Sequence, residues 1–305
     1  MNQANAILGL LAQTSIHAGT GQNTGVIDLP IQREGHSGYP CVFGSAMKGA
    51  LRSHSEAIYG KDADEVTRNF GPSSTAEDAS EYAGALLISD ARILLLPVRS
   101  LTSQFKWVTC PAVLSRYLQD AKRFGLDSTA FDIPVIPTVK EESEATAIIS
   151  NQSSERHIFL EEYRFNARAT DLSTVIEALA KIMHGTADIK ANLEQQLVIV
   201  SNNMFSHICQ HATPVNAHIA IDSTTKVVRP GALWYEETLP PESLLYVGIT
   251  ANKSRKKNDD FSADKILSNL TSLFIEGSPW LQIGGNETVG MGWCAVKIQK
   301  SQQEG

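Results

Sequence analysis

The N-terminal stretch Leu10–Arg52 decides how this chain begins to fold. Its informative segments read LLAQTSIHAGTG (10–21), GVIDLPIQRE (25–34) and GSAMKGALR (44–52). The first predicts a strand that enters a glycine-rich loop, the second a short strand that ends at a proline, and the third a helix. Together they place an imidazole, an isolated carboxylate and two cations in one small unit. Such a combination is suited to binding a phosphodiester.

The third segment predicts a helix that is capped by Ser45 and stopped by Gly60. Apolar residues at helical spacing predict its buried stripe: Met47, Ala50, Leu51 and Ile58. The helix therefore has one face for the core and leaves its charged positions for another surface.

Lys48 and Arg52 are four residues apart and share one face of this helix. Glu56 lies one further turn along and could pair with Arg52 in a solvated charge ladder, which is the commoner use of such positions. The alternative is a phosphate-binding face, assisted by the backbone N–H groups at residues 44–46. Spacing alone favours the ladder.

Asp28 and His17 each allow a structural and a functional interpretation. An aspartate inside a short strand is disfavoured, so Asp28 either bonds to backbone near the Pro30 turn or serves a reaction. His17 has the protonation range of a general acid or base, but single histidines are more often structural. The residues alone leave Asp28 open and favour a structural His17.

The remainder of the chain predicts a mixed α+β fold with strands at both ends. Ala6–Ala12 predicts the first strand, and the glycine-interrupted tail 281–298 predicts the last, so the two termini can pair in one sheet. The other predictions are a strand or strand pair at 82–97, an exposed connection at 126–155, and helices at 111–124, 173–184 (capped by Ser173) and 261–273. Residues 193–200 mix helix and strand formers and stay open.

A β-hairpin is predicted between Asn216 and Tyr246. Residues 217–221 alternate in polarity, 222–225 form a turn, 226–228 return, and Leu233–Glu237 begins another strand.

Composition excludes several classes of protein. The 305 residues carry a net charge of −7, which argues against unspecific nucleic-acid binding by the whole surface but allows a local basic groove. The densest basic run, Lys253–Lys257, is either a mobile loop or an RNA contact. Four widely separated cysteines argue against a zinc ribbon or a disulfide framework, and the His207-x-Cys209-x-His211 motif lacks further ligands for a metal. Ala6–Ala12 lacks the flanks of a signal peptide, so we expect a cytoplasmic protein without a membrane segment.

Several motifs together resemble the RAMP superfamily and, within it, the repeated backbone subunit of type III-B CRISPR (Cmr) effector complexes. They are AGTG (18–21), VIDLPIQRE (26–34), GSAMKGALR (44–52), FGP (70–72), SDAR (89–92), PVRS (97–100), WVTCP (107–111), LWYEE (233–237) and the loop 284–292. The resemblance covers nearly the whole chain and is weakest over 126–200. It implies one ferredoxin-like, RRM-like domain over residues 1–305, with a helical insertion near 126–200 and a hairpin thumb near 205–235.

The resemblance also implies a function. Copies of the chain would form a helical filament on a CRISPR guide RNA with other Cmr subunits, and would cut the complementary target RNA at regular intervals. Asp28 matches the family's cleavage aspartate and would ligate Mg²⁺ or another divalent cation. The other implied residues are the auxiliary catalytic candidates His17, Glu236 and Glu237, and the RNA contacts Lys48, Arg52, Arg33, Lys253 and Arg255.

Two alternatives remain at this point. The chain could be a structural RNA-binding subunit that cuts nothing, in which case Asp28 would be dispensable. It could also be an enzyme that acts on a small phosphate compound with the same loops.

Overall fold

The computed structural model describes residues 3–23, 25–73, 82–126, 130–135, 145–185, 188–275 and 277–301. Its strands are β1 (Ala4–Ala12), β2 (Cys41–Val42), β3 (Leu86–Ile88), β4 (Ala91–Arg99), β5 (Phe105–Thr109), β6 (Thr146–Ser150), β7 (His157–Leu160), β8 (Tyr163–Thr170), β9 (Leu197–Ile199), β10 (Val215–Ile221), β11 (Val228–Glu237), β12 (Leu244–Ala251), β13 (Trp280–Gln282) and β14 (Trp293–Lys300). Its helices are α1 (Gly44–Tyr59), α2 (Asp64–Phe70), α3 (Pro111–Arg123), α4 (Ser173–Ala180), α5 (Ile189–Gln196), α6 (Asn202–His211) and α7 (Ala263–Thr271). The fold is mixed α and β, as predicted.

In the described part of the chain, twelve strands join in one mixed sheet, and β10 and β11 form a separate hairpin. The long path through the sheet runs β13-β14-β1-β12-β4-β5-β9-β6-β8-β7, while β2 pairs with β4 and β3 with β12. Helix α7 packs against β1 and β12, α3 against β4, and α1 against β3 and β13.

Strand β1 lies between β12 and β14, so the first and last strands pair as predicted. Leu8 is opposite Val247 on β12 and Ile298 on β14, both in antiparallel register. Leu8 is fully buried, as is most of β1. Burial of these aliphatic side chains anchors the centre of the domain.

The region of the predicted helical insertion also extends the sheet. Residues 145–199 contain α4 and α5 but also β6, β7, β8 and β9, and β9 joins the sheet through parallel pairing with β5. Residues 127–129 and 136–144 of the predicted exposed connection lie outside the described residues. The C-terminal part of that predicted connection contains the buried strand β6, so the prediction of an exposed connection is wrong for these residues. Residues 193–200, left open by the sequence, divide at Gln196, where α5 ends and β9 follows.

Two predicted helix caps are wrong. Helix α1 begins at Gly44 with Phe43 as N-cap, and the Gly44 N–H donates to Asp90 Oδ1 at 2.7 Å, so Ser45 caps nothing. Helix α4 begins after Leu172, and the Ser173 N–H donates to Asp171 Oδ1 at 2.9 Å. In both cases an aspartate carboxylate, and not the predicted serine hydroxyl, accepts the hydrogen bond from the first N–H group of the helix.

Other helix boundaries are closer to prediction. Gly60 ends α1 with a φ of 97°, and α3 covers the predicted helix almost completely. The predicted buried residue Ile58 is instead 51% exposed, since it lies near the free end of α1.

The hairpin is longer than predicted. Leu233–Glu237 is not a new strand but the second half of β11, and it pairs with the first half of β10. Between the pairs Ile219–Leu233 and Ile221–Val228 the register shifts, so the residues around Pro230 and Gly231 form a bulge. Across the described residues, no helix is both long and apolar enough to cross a membrane.

Candidate functional site

Asp28 lies at the base of the hairpin, beside β11. Backbone pairing brings the segment there: the Leu29 N–H donates to the Tyr235 carbonyl at 3.1 Å, and the Glu237 N–H donates to the Leu29 carbonyl at 3.0 Å. The Tyr235 N–H also donates to Asp28 Oδ2 at 2.8 Å. The carboxylate therefore bonds to the backbone of a distant strand and not to that of the nearby Pro30 turn, which was the predicted structural role.

Asp28 is partly exposed and opens into a cleft of about 440 Å³. The other residues that line this cleft come from the first glycine-rich loop and from the hairpin: Gln22, Asn23, Leu29, Gly231, Leu233 and Trp234. Among the described residues, no hydrogen bond engages Asp28 Oδ1. One oxygen is thus held in place while the other is available to a ligand in the cleft.

Glu237, the last residue of β11, also lies at the base of the hairpin and is 2% exposed. Its Oε1 accepts hydrogen bonds from the Arg33 guanidinium and from Thr213 Oγ1, the latter at 2.6 Å. Its Oε2 accepts from the Ile31 N–H at 3.1 Å. A buried carboxylate group with this many hydrogen-bond donors holds the Asp28 segment against the hairpin.

Glu236 and His17 form a second buried polar group. His17 Nδ1 donates to the Glu237 carbonyl at 2.8 Å and lies 3.6 Å from Glu236 Oε1, which also accepts from the Asn286 side chain. His17 is 9% exposed and Glu236 is 4% exposed. Both side chains therefore face the interior, where they connect β1, the hairpin and the C-terminal loop.

The two glycine-rich loops enclose His17. A Cβ on Gly19 would come within 2.7 Å of His17 Nε2, and one on Gly284 would come within 2.4 Å of the His17 carbonyl oxygen. The Gly285 N–H donates to that same oxygen at 2.8 Å. The backbone of the C-terminal glycine-rich loop, residues 284–292, therefore packs directly against His17.

A second cleft, of about 410 Å³, lies between these loops and α1. Small residues of α1 line it, including Ala46, Ala50 and Ser53. At about 100° per residue, Lys48 lies about 200° around the helix from Ala46, so Lys48 faces away from this cleft.

The two predicted RNA contacts on α1, Lys48 and Arg52, differ in whether their charged groups are already bonded within the protein. Arg52 Nε donates to Glu56 at 2.7 Å and its NH1 donates to the Gly71 carbonyl at 3.0 Å, as in the ladder interpretation. Lys48 is partly exposed and makes no ion pair within the described residues.

Arg33 has its guanidinium directed inward. Besides its pair with Glu237, it donates to the carbonyls of Gly38 at 2.8 Å and Cys209 at 2.9 Å. These bonds connect α6 to the Asp28 segment, so Arg33 is a contact between parts of the protein.

Lys253 and Arg255 are exposed, but they lie at the other end of the sheet. Strand β12 is antiparallel to β1, with Leu244 opposite Leu11 and Ala251 opposite Ala4. The loop after Ala251 is therefore on the order of 25 Å along the strands from the end of β1 that leads to His17.

No cluster of three or more potential metal ligands occurs among the described residues. Asp28 with its amide neighbours could supply one charged oxygen ligand. Such a donor set fits Mg²⁺ when the remaining ligands are phosphate oxygens and water. The two histidines of α6 have other contacts: His207 Nε2 bonds with the Tyr163 hydroxyl at 2.8 Å, and its ring lies 4.4 Å from that of His211.

Thr213 gave no signal in the sequence, and Asn286 and Trp234 lay within family motifs that assigned them no role. Thr213 and Asn286 join the site through hydrogen bonds to Glu237 and Glu236, and Trp234 through the pairing of Leu29 with β11. The motif LWYEE was the available indication, since it combines two carboxylates with two aromatic rings.

Comparison with known proteins agrees with this architecture. The RAMP superfamily profile matches residues 10–295. The "CRISPR system Cmr endoribonuclease Cmr4" of Pyrococcus furiosus is 32% identical over 98% of this chain and 97% of its own length. The "CRISPR system CMR subunit Cmr4" of Saccharolobus solfataricus is 25% identical over 92% of each chain.

Solved structures show the same fold. A crystal structure of oligomeric Cmr4 from Pyrococcus furiosus superposes with a TM-score of 0.72 at 26% identity, covering 98% of this chain and 99% of that one. A subunit of the type III-B Cmr-beta complex bound to cognate target RNA gives a TM-score of 0.69 at 19% identity, over 96% of each chain. The chain belongs to the RAMP superfamily and, within it, to the family of the Cmr4 subunits.

Proposed function

We propose that this protein is the guide-RNA-binding backbone subunit of a type III-B CRISPR complex and that it cleaves complementary target RNA at Asp28. A near full-length relative is named a Cmr endoribonuclease. The observation that supports this role best is the placement of Asp28, whose carboxylate opens into a cleft at the base of an exposed hairpin. Sequence specificity comes from base pairing with the guide, and the protein contacts the backbone.

The proposed reaction uses the nucleophile that RNA itself carries. The 2′-oxygen attacks the adjacent phosphorus while the bond from phosphorus to the 5′-oxygen breaks, which leaves a 2′,3′-cyclic phosphate and a 5′-hydroxyl. Asp28 Oδ1 accepts the proton of the 2′-hydroxyl or binds a divalent cation, while the Tyr235 N–H fixes the orientation of the carboxylate. The leaving 5′-oxygen takes its proton from water.

A divalent cation, Mg²⁺ in our proposal, would neutralise charge that develops on the phosphate oxygens. Asp28 is the residue that would hold it. Because the described residues offer no further carboxylate in this cleft, most of its ligands would be RNA oxygens and water.

The buried residues have supporting roles in this proposal. His17, Glu236 and Glu237 hold the Asp28 segment, the hairpin and the glycine-rich loops together, and do not reach the RNA. Among the predicted RNA contacts, Lys48, Lys253 and Arg255 have the more accessible side chains, whereas Arg33 and Arg52 are already paired.

The proposed partners are a guide RNA, a target RNA, other Cmr subunits and further copies of this chain in a helical filament, assembled in the cytoplasm. The hairpin supports the self-association, because it projects apolar side chains such as Ile219, Ile221 and Leu233 that are 49%, 54% and 54% exposed.

The test is an Asp28→Asn variant in the reconstituted complex, with matched target RNA and Mg²⁺. We expect target binding to persist and cleavage to slow by at least about 100-fold, as for other groups that act at a reacting phosphate or its nucleophile. Asp260→Asn, at an exposed loop position, is the matched control and should cut normally. Unchanged cutting by Asp28→Asn would favour the alternative, a structural RNA-binding subunit.

A further inference from the structure

Trp234 and His218 form a stacked pair on one face of the hairpin. They are directly opposite each other on β11 and β10, and their ring centroids lie 5.5 Å apart at an interplanar angle of 15°. His218 Nε2 is buried and has no hydrogen-bond partner among the described residues. The imidazole therefore supports the indole through its face and not through a polar contact.

This pair borders the cleft that contains Asp28. Trp234 lines the cleft, and the backbone N–H of the next residue, Tyr235, holds the Asp28 carboxylate. The Trp234 ring and the Asp28 carboxylate thus border the same cleft, and the carboxylate is bonded to the residue that follows Trp234 in β11. Gln22 and Asn23 also line this cleft and add amide groups to it.

The chemistry at Asp28 requires a nucleotide outside regular helical geometry. In an A-form duplex the 2′-oxygen is not in line with the leaving 5′-oxygen, so the reacting nucleotide must leave the stack to reach an in-line geometry. Proteins stabilise unstacked RNA bases mainly by stacking them on aromatic side chains.

We propose that Trp234, supported by His218, is the stacking surface for the base of the target nucleotide whose 2′-oxygen attacks. This inference rests on the proposed function. Trp234 holds the base in the cleft, and this contact brings the ribose of the same nucleotide to Asp28. Because every base has a flat face, the contact does not select sequence.

The experiment combines Trp234→Ala with a target RNA that lacks this one base but keeps its ribose and phosphates. On intact target, the variant complex should bind normally and cut about 5- to 150-fold more slowly in single turnover, the range expected for one lost base–aromatic contact. On the abasic target, the unmodified and variant complexes should cut at the same reduced rate, because the contact is absent in both.

Two variants control for damage to the hairpin. Trp234→Phe keeps a stacking face and should recover most of the rate on intact target. Thr224→Ala shortens an exposed side chain at the turn of the hairpin and should leave the difference between intact and abasic targets unchanged. The inference is wrong if Trp234→Ala cuts intact target normally, or if it slows cleavage of the abasic target as much as that of the intact one.

Failure of this inference is distinguishable from failure of the proposed function. If Asp28→Asn abolishes cutting while Trp234→Ala has no effect, the active site stands and the stacking surface does not. If Asp28→Asn cuts normally, the proposed active site is wrong, and so is a stacking surface that serves it.

Discussion

Strands β1 and β11 are nearly equal in length, at 9 and 10 residues, but opposite in environment. Strand β1 is buried at almost every position, whereas β11 is exposed or partly exposed until its last two residues, Glu236 and Glu237. Burial of hydrophobic side chains stabilises β1. Strand β11 is stabilised by backbone pairing with β10 and by the buried polar contacts at the base of the hairpin. The comparison teaches that the hairpin keeps its side chains available for an external partner.

The largest effect on stability is expected at the base of the hairpin. Glu237→Ala would leave the Arg33 guanidinium, the Thr213 hydroxyl and the Ile31 N–H without their acceptor. Breaking a buried pair of this kind costs about 3–5 kcal/mol in free energy of unfolding, which urea denaturation of the purified subunit would measure. Glu287→Ala, at an exposed position, is the control. A loss below about 1 kcal/mol would show that these contacts do not hold the hairpin.

The comparison between the strands is tested most directly by truncating one leucine in each. Leu10 on β1 is 0% exposed and Leu233 on β11 is 54% exposed. We expect Leu10→Ala to lower the free energy of unfolding by about 2–5 kcal/mol and Leu233→Ala to change it by about 0.5 kcal/mol or less. Similar losses of free energy of unfolding in the two variants would contradict the view that contacts at the base of the hairpin, and not burial along β11, stabilise the hairpin.

A smaller effect is expected where the sheet buries a charge. Lys106 on β5 is 3% exposed, and its Nζ donates to Glu155 Oε2 at 2.6 Å and to the Gln195 carbonyl at 2.9 Å. Partial burial raises the pKa of Glu155, but the hydrogen bond and charge of Lys106, together with hydrogen bonds from Thr102 and Ser153, outweigh it, so the pKa lies below its usual 4.5. Glu155→Gln should cost about 1–3 kcal/mol at neutral pH.

The sign of the pH dependence follows from that lowered pKa. A carboxyl with a depressed folded-state pKa contributes its full stability above the unfolded value of 4.5, and the contribution disappears as the pH falls through the folded-state pKa. The difference in stability between the unmodified protein and Glu155→Gln should be constant from pH 7 to about 5 and shrink below that. A difference that grows on acidification would contradict this pairing.

Much of the fold was predictable because its elements have strong local patterns. The aliphatic run of β1 and the helical spacing of α3 do not depend on partners, and both elements are present as expected. The hairpin was harder, because a bulge around Pro230 and Gly231 interrupts β11, and Leu233–Glu237 was therefore predicted as a separate strand. Helix caps were missed for a related reason: Asp90 satisfies the first N–H group of α1 from a distant loop.

The candidate site divides in the same way. The residues identified Asp28 and His17 as carriers of possible chemistry, and the family resemblance placed Asp28 first and added Glu236 and Glu237 as auxiliary candidates. The sequence did not show which of these side chains are buried and which is accessible, because that depends on the segments packed around each of them.

The tertiary structure made that distinction. Pairing of residues 28–31 with β11 gives Asp28 a single backbone donor and an open cleft, and Glu237 is surrounded by three donor residues from two other segments. The environment of an ionisable group depends on residues hundreds of positions away. The sequence by itself therefore determined the elements, the family and the candidate residues, whereas only the packing of distant segments decided which carboxylate is free to meet a ligand.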